Sequence, residues 1–280
     1  MFLIALLIIV VTVVIIIIDS NSRLKTTEFE LHFDNLPDAF DGYRIVLLAD
    51  LHGAEHGGDN ERLVRQVRDA DPDIIVFSGD MIDRYQPGRP VEKQLEIAQT
   101  LVRQLVRIAP VYYVTGNHEL DIRMGEAAKD LFSILEENDV NVLRNQYRRL
   151  SIGDDSIIIA GIDDPNGPAD MIKPEEFING IWERENPDFL VVIYHRNNKL
   201  NLFSELGVDL VLSGHSHGGM VRLPFTDGLI GPQNDFFPTH TSGVYKEDNT
   251  KMIVTQGLGN HLGWTRFLNN PQVVVVELRG

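Results

Sequence analysis

The longest apolar stretch of the chain lies at its N-terminal end. Residues 2–18 are apolar except for Thr12, and a polar segment, DSNSRLK, follows directly. At ~1.5 Å per residue these residues would form a helix about 26 Å long, close to the ~30 Å hydrocarbon core of a bilayer. The basic start, short apolar core and small residues that mark a cleaved signal peptide are not evident. The pattern predicts a single-pass membrane anchor over residues 1–20, because so long an apolar run suits neither a buried core helix nor a strand.

The charges beside the anchor bear on its orientation. Arg23 and Lys25 follow the anchor, and no Lys or Arg precedes it. Basic flanks tend to stay on the cytoplasmic side of a span, so the pattern predicts a cytoplasmic body. Glu28 and Glu30 lie in the same flank and weaken this asymmetry.

Beyond the anchor, strand-like and helix-like segments alternate. Residues 21–42 are expected to form a juxtamembrane segment with a leading strand. Amphipathic periodicity predicts helices at 59–71, with Asp59 or Asn60 as the N-cap, at 91–108 and at about 126–137. Apolar runs predict strands at 43–50, 73–80, 111–119, 141–145, 147–152, 156–164, 189–195, 208–215 and 252–259. The alternation is typical of an α/β fold with helices outside a largely buried sheet. No long linker interrupts residues 43–280, so we expect one domain there.

Composition narrows the classes of function. The formal net charge is −16, and an acidic surface repels phosphate backbones, so no nucleic-acid partner is expected. A small phosphorylated substrate remains compatible, because a bound cation can invert the local field. The chain has no cysteine, which excludes disulfides, thiolate zinc sites and a cysteine nucleophile. Any metal site must therefore use nitrogen and oxygen ligands.

Five of the predicted strands end in side chains that can bind a cation. These are Asp50 and His52, Asp80 and Asp83, Asn117 and His118, His195, and His215 and His217. Sites in open α/β sheets form at the carboxyl ends of the strands, so we expect these side chains to meet at one edge. In an extended segment residues i and i+2 point the same way, which would let each D-x-H or H-x-H pair present both ligands to one side. Glycines at 79, 116 and 214 lie where a strand must turn sharply next to such a site.

Carboxylate, imidazole and amide ligands without sulfur suit Mn²⁺, Zn²⁺ or Fe. The set is too large for one tetrahedral site but suits two divalent cations that share a carboxylate, and Asp80 is the natural bridge. The remaining histidines lack a setting at a strand end, and we interpret them as surface residues: His32, His56, His240 and His261. His56 and His261 could instead line the mouth of the site.

The ordered motifs resemble those of the calcineurin-like metallophosphoesterases. D-x-H, G-D-x-x-D, G-N-H-E, a lone histidine and G-H-x-H occur here as DLH (50–52), GDMID (79–83), GNHE (116–119), His195 and GHSH (214–217). The sequence is most similar to a small bacterial, often membrane-attached branch, which includes enzymes similar to the UDP-2,3-diacylglucosamine hydrolases. Ser216, Met220 and the missing proline after His195 depart from the most familiar pattern, but none of these is a ligand position. The resemblance implies a four-layer α/β/β/α sandwich of two mixed sheets.

The resemblance also implies roles for individual residues. One metal would be held by Asp50, His52, Asp80 and His217, and the other by Asp80, Asn117, His195 and His215. His118 would be the general acid, Asp83 would hold its ring, and Arg84 would either bind the substrate phosphate or form a surface salt bridge.

The implied reaction is hydrolysis of a phosphoester or pyrophosphate bond by a metal-bridging hydroxide. The anchor favours a phosphodiesterase or pyrophosphatase that acts near the membrane on a lipid-linked or small phosphorylated substrate. The sequence GDMIDR favours the alternative of a phosphomonoesterase or protein phosphatase. A non-catalytic scaffold is opposed by the presence of every expected ligand and of His118. A nuclease would need a basic stripe that the sequence lacks.

Overall fold

Two six-stranded sheets packed face to face form the centre of the computed structural model, which describes residues 2–223, 226–231, 236–260 and 265–280. The helices are α1 Phe2–Ser22, α2 Glu61–Asp69, α3 Val91–Leu105, α4 Gly125–Glu137, α5 Pro174–Glu185 and α6 Leu200–Glu205. The strands are β1 Lys25–His32, β2 Arg44–Leu48, β3 Ile74–Ser78, β4 Val111–Val114, β5 Asn141–Val142, β6 Gln146–Ile152, β7 Asp155–Ile162, β8 Leu190–Tyr194, β9 Leu210–Ser213, β10 Gly243–Glu247, β11 Thr250–Val254 and β12 Gln272–Arg279.

Each sheet has parallel strands at its centre and antiparallel pairing nearer its margin. The first sheet has the order β1-β12-β2-β3-β4-β5, in which β2 to β5 are parallel and β12 runs antiparallel to β2. The second has the order β10-β11-β9-β8-β7-β6, in which β11, β9, β8 and β7 are parallel. Both sheets are therefore mixed, and in each the parallel strands end at a common edge.

Alternation along the strands explains the layering. In β2, Val46 and Leu48 belong to a core shared with α2, α3 and α4, whereas Ile45 and Leu47 belong to a core shared with the second sheet. A third core joins the outer face of the second sheet to α5 and α6. Strands buried on both faces are apolar at every position, which is why they read as continuous apolar runs. The predicted four-layer α/β/β/α sandwich is confirmed.

The predicted strands occur, but the strands before the motifs end earlier than their apolar runs suggest. β2 ends at Leu48, β3 at Ser78 and β4 at Val114, so the motif residues lie in the loops that follow. The helix predicted at 59–71 begins only at Glu61, after a short 3-10 turn at Gly58–Asn60. Asn60 occupies its N-cap position, but the Asn60 side chain makes no capping bond to the helix. It instead accepts a hydrogen bond from the backbone N–H of His56 (2.8 Å). The patterns above do not predict α5, α6, β10 or β12.

The apolar N-terminal run forms a single helix, α1. Within the described residues it is the one helix that is long and apolar enough to cross a membrane, and its apolar window is not buried against the body. Its last turn, however, is held by the body. Asn270 Nδ2 donates to the backbone oxygen of Asp19 (2.7 Å), and Asn21 Nδ2 donates to that of Arg266 (2.9 Å). Two residues after α1, β1 begins and pairs with β12.

Candidate metal centre

The sequence motifs meet where parallel strands of the two sheets end. We call this the carboxyl edge, and it is defined by Asp50, Asp80, Asn117, His195 and His215, which follow β2, β3, β4, β8 and β9. β2, β3 and β4 are neighbours in one sheet, and β8 and β9 are neighbours in the other. The packing of the sheets brings their loops into contact, as the expectation of a shared edge requires.

The backbone at these positions is not extended. Asp50 (φ 53°), His52 (φ 46°), Asp80 (φ 55°), His215 (φ 67°) and His217 (φ 48°) are all in the left-handed region. The expectation that i and i+2 side chains converge because the segment is extended is therefore wrong. Positive φ at a non-glycine residue costs about 1–3 kcal/mol and persists only where the surroundings impose it. The side chains are aimed by tight turns that the surrounding hydrogen bonds hold in place.

One group of donors is formed by Asp50, His52 and His217, all buried, with ligand atoms within 4.8 Å of one another. The Nε2 atoms of His52 and His217 are 3.1 Å apart, and Nε2 of His217 is 3.6 Å from Oδ1 of Asp50. The Asp50 carboxylate also accepts the backbone N–H of His215 at 3.0 and 3.1 Å. This interaction joins the loop that follows β2 in the first sheet to the loop that follows β9 in the second sheet.

A second group is formed by Asp80, His195 and His215. Nε2 of His195 is 3.1 Å from Oδ2 of Asp80, 3.3 Å from Nδ1 of His215 and 3.2 Å from Oδ1 of Asn117. Oδ2 of Asp80 is also 4.0 Å from Nε2 of His52, in the first group. Asp80 thus lies between the two groups.

These separations suit divalent cations. Two nitrogen ligands of a tetrahedral cation with bonds of about 2.0–2.1 Å lie about 3.3 Å apart. The imidazole pairs at 3.1 and 3.3 Å match that separation, one in each group. Within the described residues the donors are nitrogen and oxygen only, as the absence of cysteine requires. The residues therefore fit the metal ions that the motifs imply.

The carboxyl groups of the two donor groups, Asp50 and Asp80, are both buried. Burial, opposed by His195, raises the pKa of Asp50 to about 7. At Asp80 burial acts in the same direction, but His195 and His118 outweigh it and hold the pKa well below its usual value. Burial lowers the pKa of His195, yet Asp80 and Asp50 raise it to about 10. Bound cations would replace the protons that balance these carboxylates.

Glycines allow the loops to approach the carboxylates. A Cβ atom on Gly116 would lie 2.1 Å from Oδ1 of Asp80, and one on Gly214 would lie 2.8 Å from Oδ2 of Asp50. Real Cβ atoms do not approach so closely, so any other residue would displace the carboxylate. Gly79, with φ +86°, supplies the turn expected before Asp80.

His118 lies beside the two groups and is held by Asp83. Nδ1 of His118 is 2.9 Å from Oδ1 of Asp83, and its Nε2 is 3.9 Å from Oδ2 of Asp80. Burial lowers the pKa of His118, but Asp80 and Asp83 outweigh it and raise the pKa to about 9. The Asp83 backbone N–H donates to Gln94 Oε1 (2.8 Å), and Gln94 Nε2 donates to the Asp83 carbonyl (2.8 Å). The Gln94 side chain thus holds the Asp83 backbone through both its N–H and its carbonyl group.

Other candidates lie apart from this cluster. Arg84 is exposed and lines a groove of about 550 Å³ between the first turns of α3 and α4, together with Arg123. His56 is buried, and its Nε2 is 3.0 Å from the backbone oxygen of Leu258, so its interpretation as a surface residue is wrong. His32 is exposed, and His240 is half-buried with its ring centroid 4.6 Å from that of Tyr245. His261 lies outside the described residues.

Glu119 was not predicted to have a role. Its buried carboxylate accepts four backbone N–H groups, from Asp80 (2.9 Å), Met81 (2.8 Å), Ile82 (3.2 Å) and Gly116 (2.8 Å). These bonds hold the turn that carries Asp80 against the turn before Asn117. In the sequence, a role for Glu119 could have been inferred from its position as the last residue of the GNHE motif.

Arg266 is a second buried residue that the sequence did not reveal. Its guanidinium donates to the backbone oxygens of Gln256 (2.9 Å) and Gly259 and to Oδ1 of Asn260 (2.9 Å). In the same loop, the backbone N–H of Gly259 donates to the backbone oxygen of Asp50 (2.6 Å). Arg266 therefore braces the loop that supports Asp50, and nothing in its sequence neighbourhood marks this role.

The chain is similar to several known proteins. A family model described as calcineurin-like phosphoesterase matches residues 43–219. The metallophosphoesterase YkuE of Bacillus subtilis is 29% identical over 259 residues, covering 91% of this chain and 86% of that protein. A zebrafish (Danio rerio) transmembrane protein with a metallophosphoesterase domain is 29% identical over 266 residues, covering 91% of this chain and 57% of that protein. Among solved structures, TT1561 of Thermus thermophilus has 15% identity and a TM-score of 0.48, covering 77% of this chain and 90% of that one.

The match to the family model extends over more than half of the chain and includes all five motifs at the carboxyl edge. Together with the two sheets and the clustered His and Asp donors, it establishes the enzyme class as a metal-dependent phosphoester hydrolase. The chain belongs to the calcineurin-like phosphoesterase family.

Proposed function

We propose that the chain hydrolyses a phosphodiester or pyrophosphate with two divalent cations, at the surface of a membrane. The position of Asp80 is the observation that carries this proposal. Oδ2 of Asp80 lies 3.1 Å from His195 in one donor group and 4.0 Å from His52 in the other. A single carboxylate placed between two donor groups supports a pair of cations rather than one.

Each cation has its own set of protein donors. Asp50, His52 and His217 would hold one, and Asn117, His195 and His215 the other, with Asp80 shared. Bound there, Mn²⁺, Zn²⁺ or Fe would stabilise charge on the phosphoryl oxygens and lower the pKa of a water molecule. The protein's own contribution is a preformed, largely buried donor set whose turns are held by Glu119 and by the loop beside Asp50.

His118 provides the proton that the leaving group needs. In hydrolysis the water oxygen bonds to phosphorus, the bond from phosphorus to the leaving oxygen breaks, and that oxygen takes up a proton. Asp83 binds Nδ1 of His118 and orients the ring so that Nε2, the proton donor, is the nitrogen nearer Asp80. The water proton passes to solvent. A positioned acid of this kind contributes about 10²–10⁴-fold to the rate.

The charges around the site support a diester or pyrophosphate substrate. A phosphomonoester dianion brings one more negative charge to the phosphorus than a diester does, and a site for it would benefit from further cationic side chains. Arg196, next to His195, is committed to Asp164 at 2.7 and 2.9 Å, and Arg123 is paired with Asp121. Arg84 is the observation that favours the alternative, a phosphomonoesterase or protein phosphatase, since it is exposed on the loop that follows Asp83.

Membrane attachment by α1 completes the proposal. The helix has the length and composition of a span, and the zebrafish relative is named as a transmembrane protein. We place the body on the cytoplasmic side, on the basis of Arg23 and Lys25 after the span. Protease digestion of sealed vesicles that contain the full chain tests this placement, because a cytoplasmic body is cleaved only in inside-out vesicles.

The test of the activity uses the full chain in detergent with Mn²⁺ or Zn²⁺. p-Nitrophenyl phosphate, bis-p-nitrophenyl phosphate and UDP-diacylglucosamine are compared under the same conditions, with the metal content measured by mass spectrometry. Preference for the diester or the pyrophosphate supports the proposal, and preference for the monoester supports the alternative. Metal-loaded protein that hydrolyses none of the three contradicts the proposed reaction.

A further inference from the structure

The end of α1 sets the depth of the carboxyl edge relative to the span. Ile18 is the last residue of the apolar run, and Asp19 and Asn21 follow within one helical turn. The polar headgroup layer is about 5–8 Å thick on each side of the hydrocarbon core, so a helix that leaves the core at Ile18 has Asp19 and Asn21 at headgroup depth. Whatever binds these two residues must lie at the same depth.

The groups that bind them come from the loop that supports Asp50. Asn270 donates to Asp19, and Asn21 accepts from Asn260 Nδ2 (3.0 Å) and from the backbone N–H of Arg266 (3.1 Å). Gly259, adjacent to Asn260, donates its N–H to the backbone oxygen of Asp50. The polar end of the span and the candidate metal centre are therefore joined through one short segment.

The connection from α1 to the body is also short. Only Arg23 and Leu24 separate α1 from β1, and two residues reach at most about 7 Å. β1 begins at the carboxyl edge, because Lys25 is opposite Gln272 and β12 runs antiparallel to β2. The body cannot move this edge far from the headgroup layer without breaking the hydrogen bonds to Asp19 and Asn21.

Exposed apolar side chains are concentrated at the same edge. Outside α1, nine large apolar side chains are exposed in the described part of the chain, and seven of them belong to segments that begin and end at the carboxyl edge. The most exposed are Ile122 (93%), Phe236 (74%), Phe237 (68%) and Tyr85 (60%). Ile152 is at the opposite edge, as the last residue of β6 before the turn to β7. Aromatic and aliphatic side chains of this kind are favoured where a protein meets the bilayer interface.

We infer that the carboxyl edge rests on the bilayer and that the substrate is a membrane amphiphile whose phosphodiester or pyrophosphate lies at headgroup depth. The inference rests on the proposed hydrolysis and on α1 as a span. It goes beyond both, because an anchor alone would allow the site to face the water. Here the end of the anchor is hydrogen-bonded to the loop beside Asp50, and most of the exposed apolar side chains belong to segments at the same edge.

The position of the carboxyl edge relative to the bilayer can be measured without an enzyme assay. The chain has no cysteine, so Phe236→Cys, Ile122→Cys and the control Ile152→Cys each create a single site for a polarity-sensitive fluorophore. The full-length variants are reconstituted into vesicles of equal parts phosphatidylcholine and phosphatidylglycerol. Quenching by a headgroup-attached nitroxide lipid is compared with quenching by aqueous iodide. We expect lipid quenching at Phe236 and Ile122 to exceed that at Ile152 by about tenfold, since lipid contact falls off within the thickness of the interface.

The other outcomes overturn the inference. Equal lipid quenching at all three sites would mean that the edge faces water. Labels at Phe236 and Ile122 that are shielded from both quenchers would mean that a protein surface, such as a second copy of the chain, covers them.

A kinetic comparison tests the substrate class. The double variant Phe236→Ser, Phe237→Ser should hydrolyse bis-p-nitrophenyl phosphate at about the wild-type rate but lose about tenfold in kcat/KM on a long-chain phosphodiester embedded in the same vesicles, as expected from ~1.4 kcal/mol of lost interfacial contact. Ile152→Ser should affect neither substrate. Equal losses on both substrates, or none on the vesicle substrate, would overturn the inference while leaving the proposed hydrolysis intact. A wild-type chain inactive on both would contradict the hydrolysis, and the quenching measurement would still decide the position of the edge.

Discussion

Replacing Glu119 with glutamine tests whether the turns of the metal centre are held by that carboxylate. Oε1 accepts the N–H groups of Met81 and Ile82, and Oε2 accepts those of Asp80 and Gly116. A glutamine has the same shape but only one acceptor oxygen. Whichever way its amide is oriented, its NH₂ group faces two backbone N–H groups that have lost their acceptor.

The expected loss of stability follows from those two lost hydrogen bonds. A buried N–H without an acceptor costs about 1–3 kcal/mol, so Glu119→Gln should lower the free energy of unfolding by about 2–6 kcal/mol. Typical proteins are stable by only about 5–15 kcal/mol, so the effect is a large fraction of the total. The turn that carries Asp80, with its positive φ, would also be released, and metal affinity should fall with it.

The assay is urea denaturation of the full chain in detergent, with a chelator present so that metal binding does not contribute. Glu126→Gln is the matched control, since Glu126 is exposed and pairs with Lys129, three residues further along α4. That control should leave the free energy of unfolding essentially unchanged, because an exposed ion pair adds little to stability. A Glu119→Gln variant that is as stable as the control in the chelator would refute the reasoning.

The other predictions concern the metals, the acid and pH. Asp80→Ala should abolish metal retention and activity together, and a variant that keeps both ions by mass spectrometry would count against the shared ligand. His118→Asn should keep its metal but turn over about 10²–10⁴-fold more slowly, and unchanged turnover would exclude the acid role. Gly116→Ala should lose metal because its Cβ would lie 2.1 Å from Asp80 Oδ1, whereas Gly125→Ala, with no atom within 4 Å, should not. Burial lowers the pKa of His56 from 6.5 to about 4, so its contribution to stability is complete above pH 6.5 and lost as the pH falls toward 4. Relative to a His56→Gln variant, the wild type should therefore lose about 3 kcal/mol across that range in urea titrations.

The clustering of the candidate donors at the carboxyl edge could be predicted from the sequence because the signals for it are local. Each donor follows an apolar run that is recognisable as a buried strand, and parallel strands bring their carboxyl ends to one edge. The four-layer arrangement of sheets and helices was implied by the resemblance to the phosphoesterase family and not by the periodicity of apolar residues. Alternate residues of β2 face different cores, and an apolar run does not say which partner covers each face.

The parts that could not be predicted depend on long-range contacts. His56 is buried because the loop around Leu258 covers it, about two hundred positions away in the sequence. Arg266 is buried by carbonyl groups of its own loop, an arrangement that composition cannot indicate. The prediction for the direction of the donor side chains was wrong for a related reason, since the positive φ at Asp50 and His215 is held by tertiary hydrogen bonds and is uncommon outside glycine.

The pairing of β1 with β12 has a consequence for biosynthesis. Thr27 and Gln272, which are hydrogen-bonded across this pair, are 245 residues apart. At about 5–20 residues per second, β1 leaves the ribosome roughly 12–50 s before its partner strand exists. With the proposed membrane attachment, α1 enters the bilayer long before the first sheet can close, and β1 spends that interval as an unpaired edge next to the bilayer. Its charged side chains, Lys25, Glu28 and Glu30 in KTTEFELH, limit aggregation of that edge during the delay.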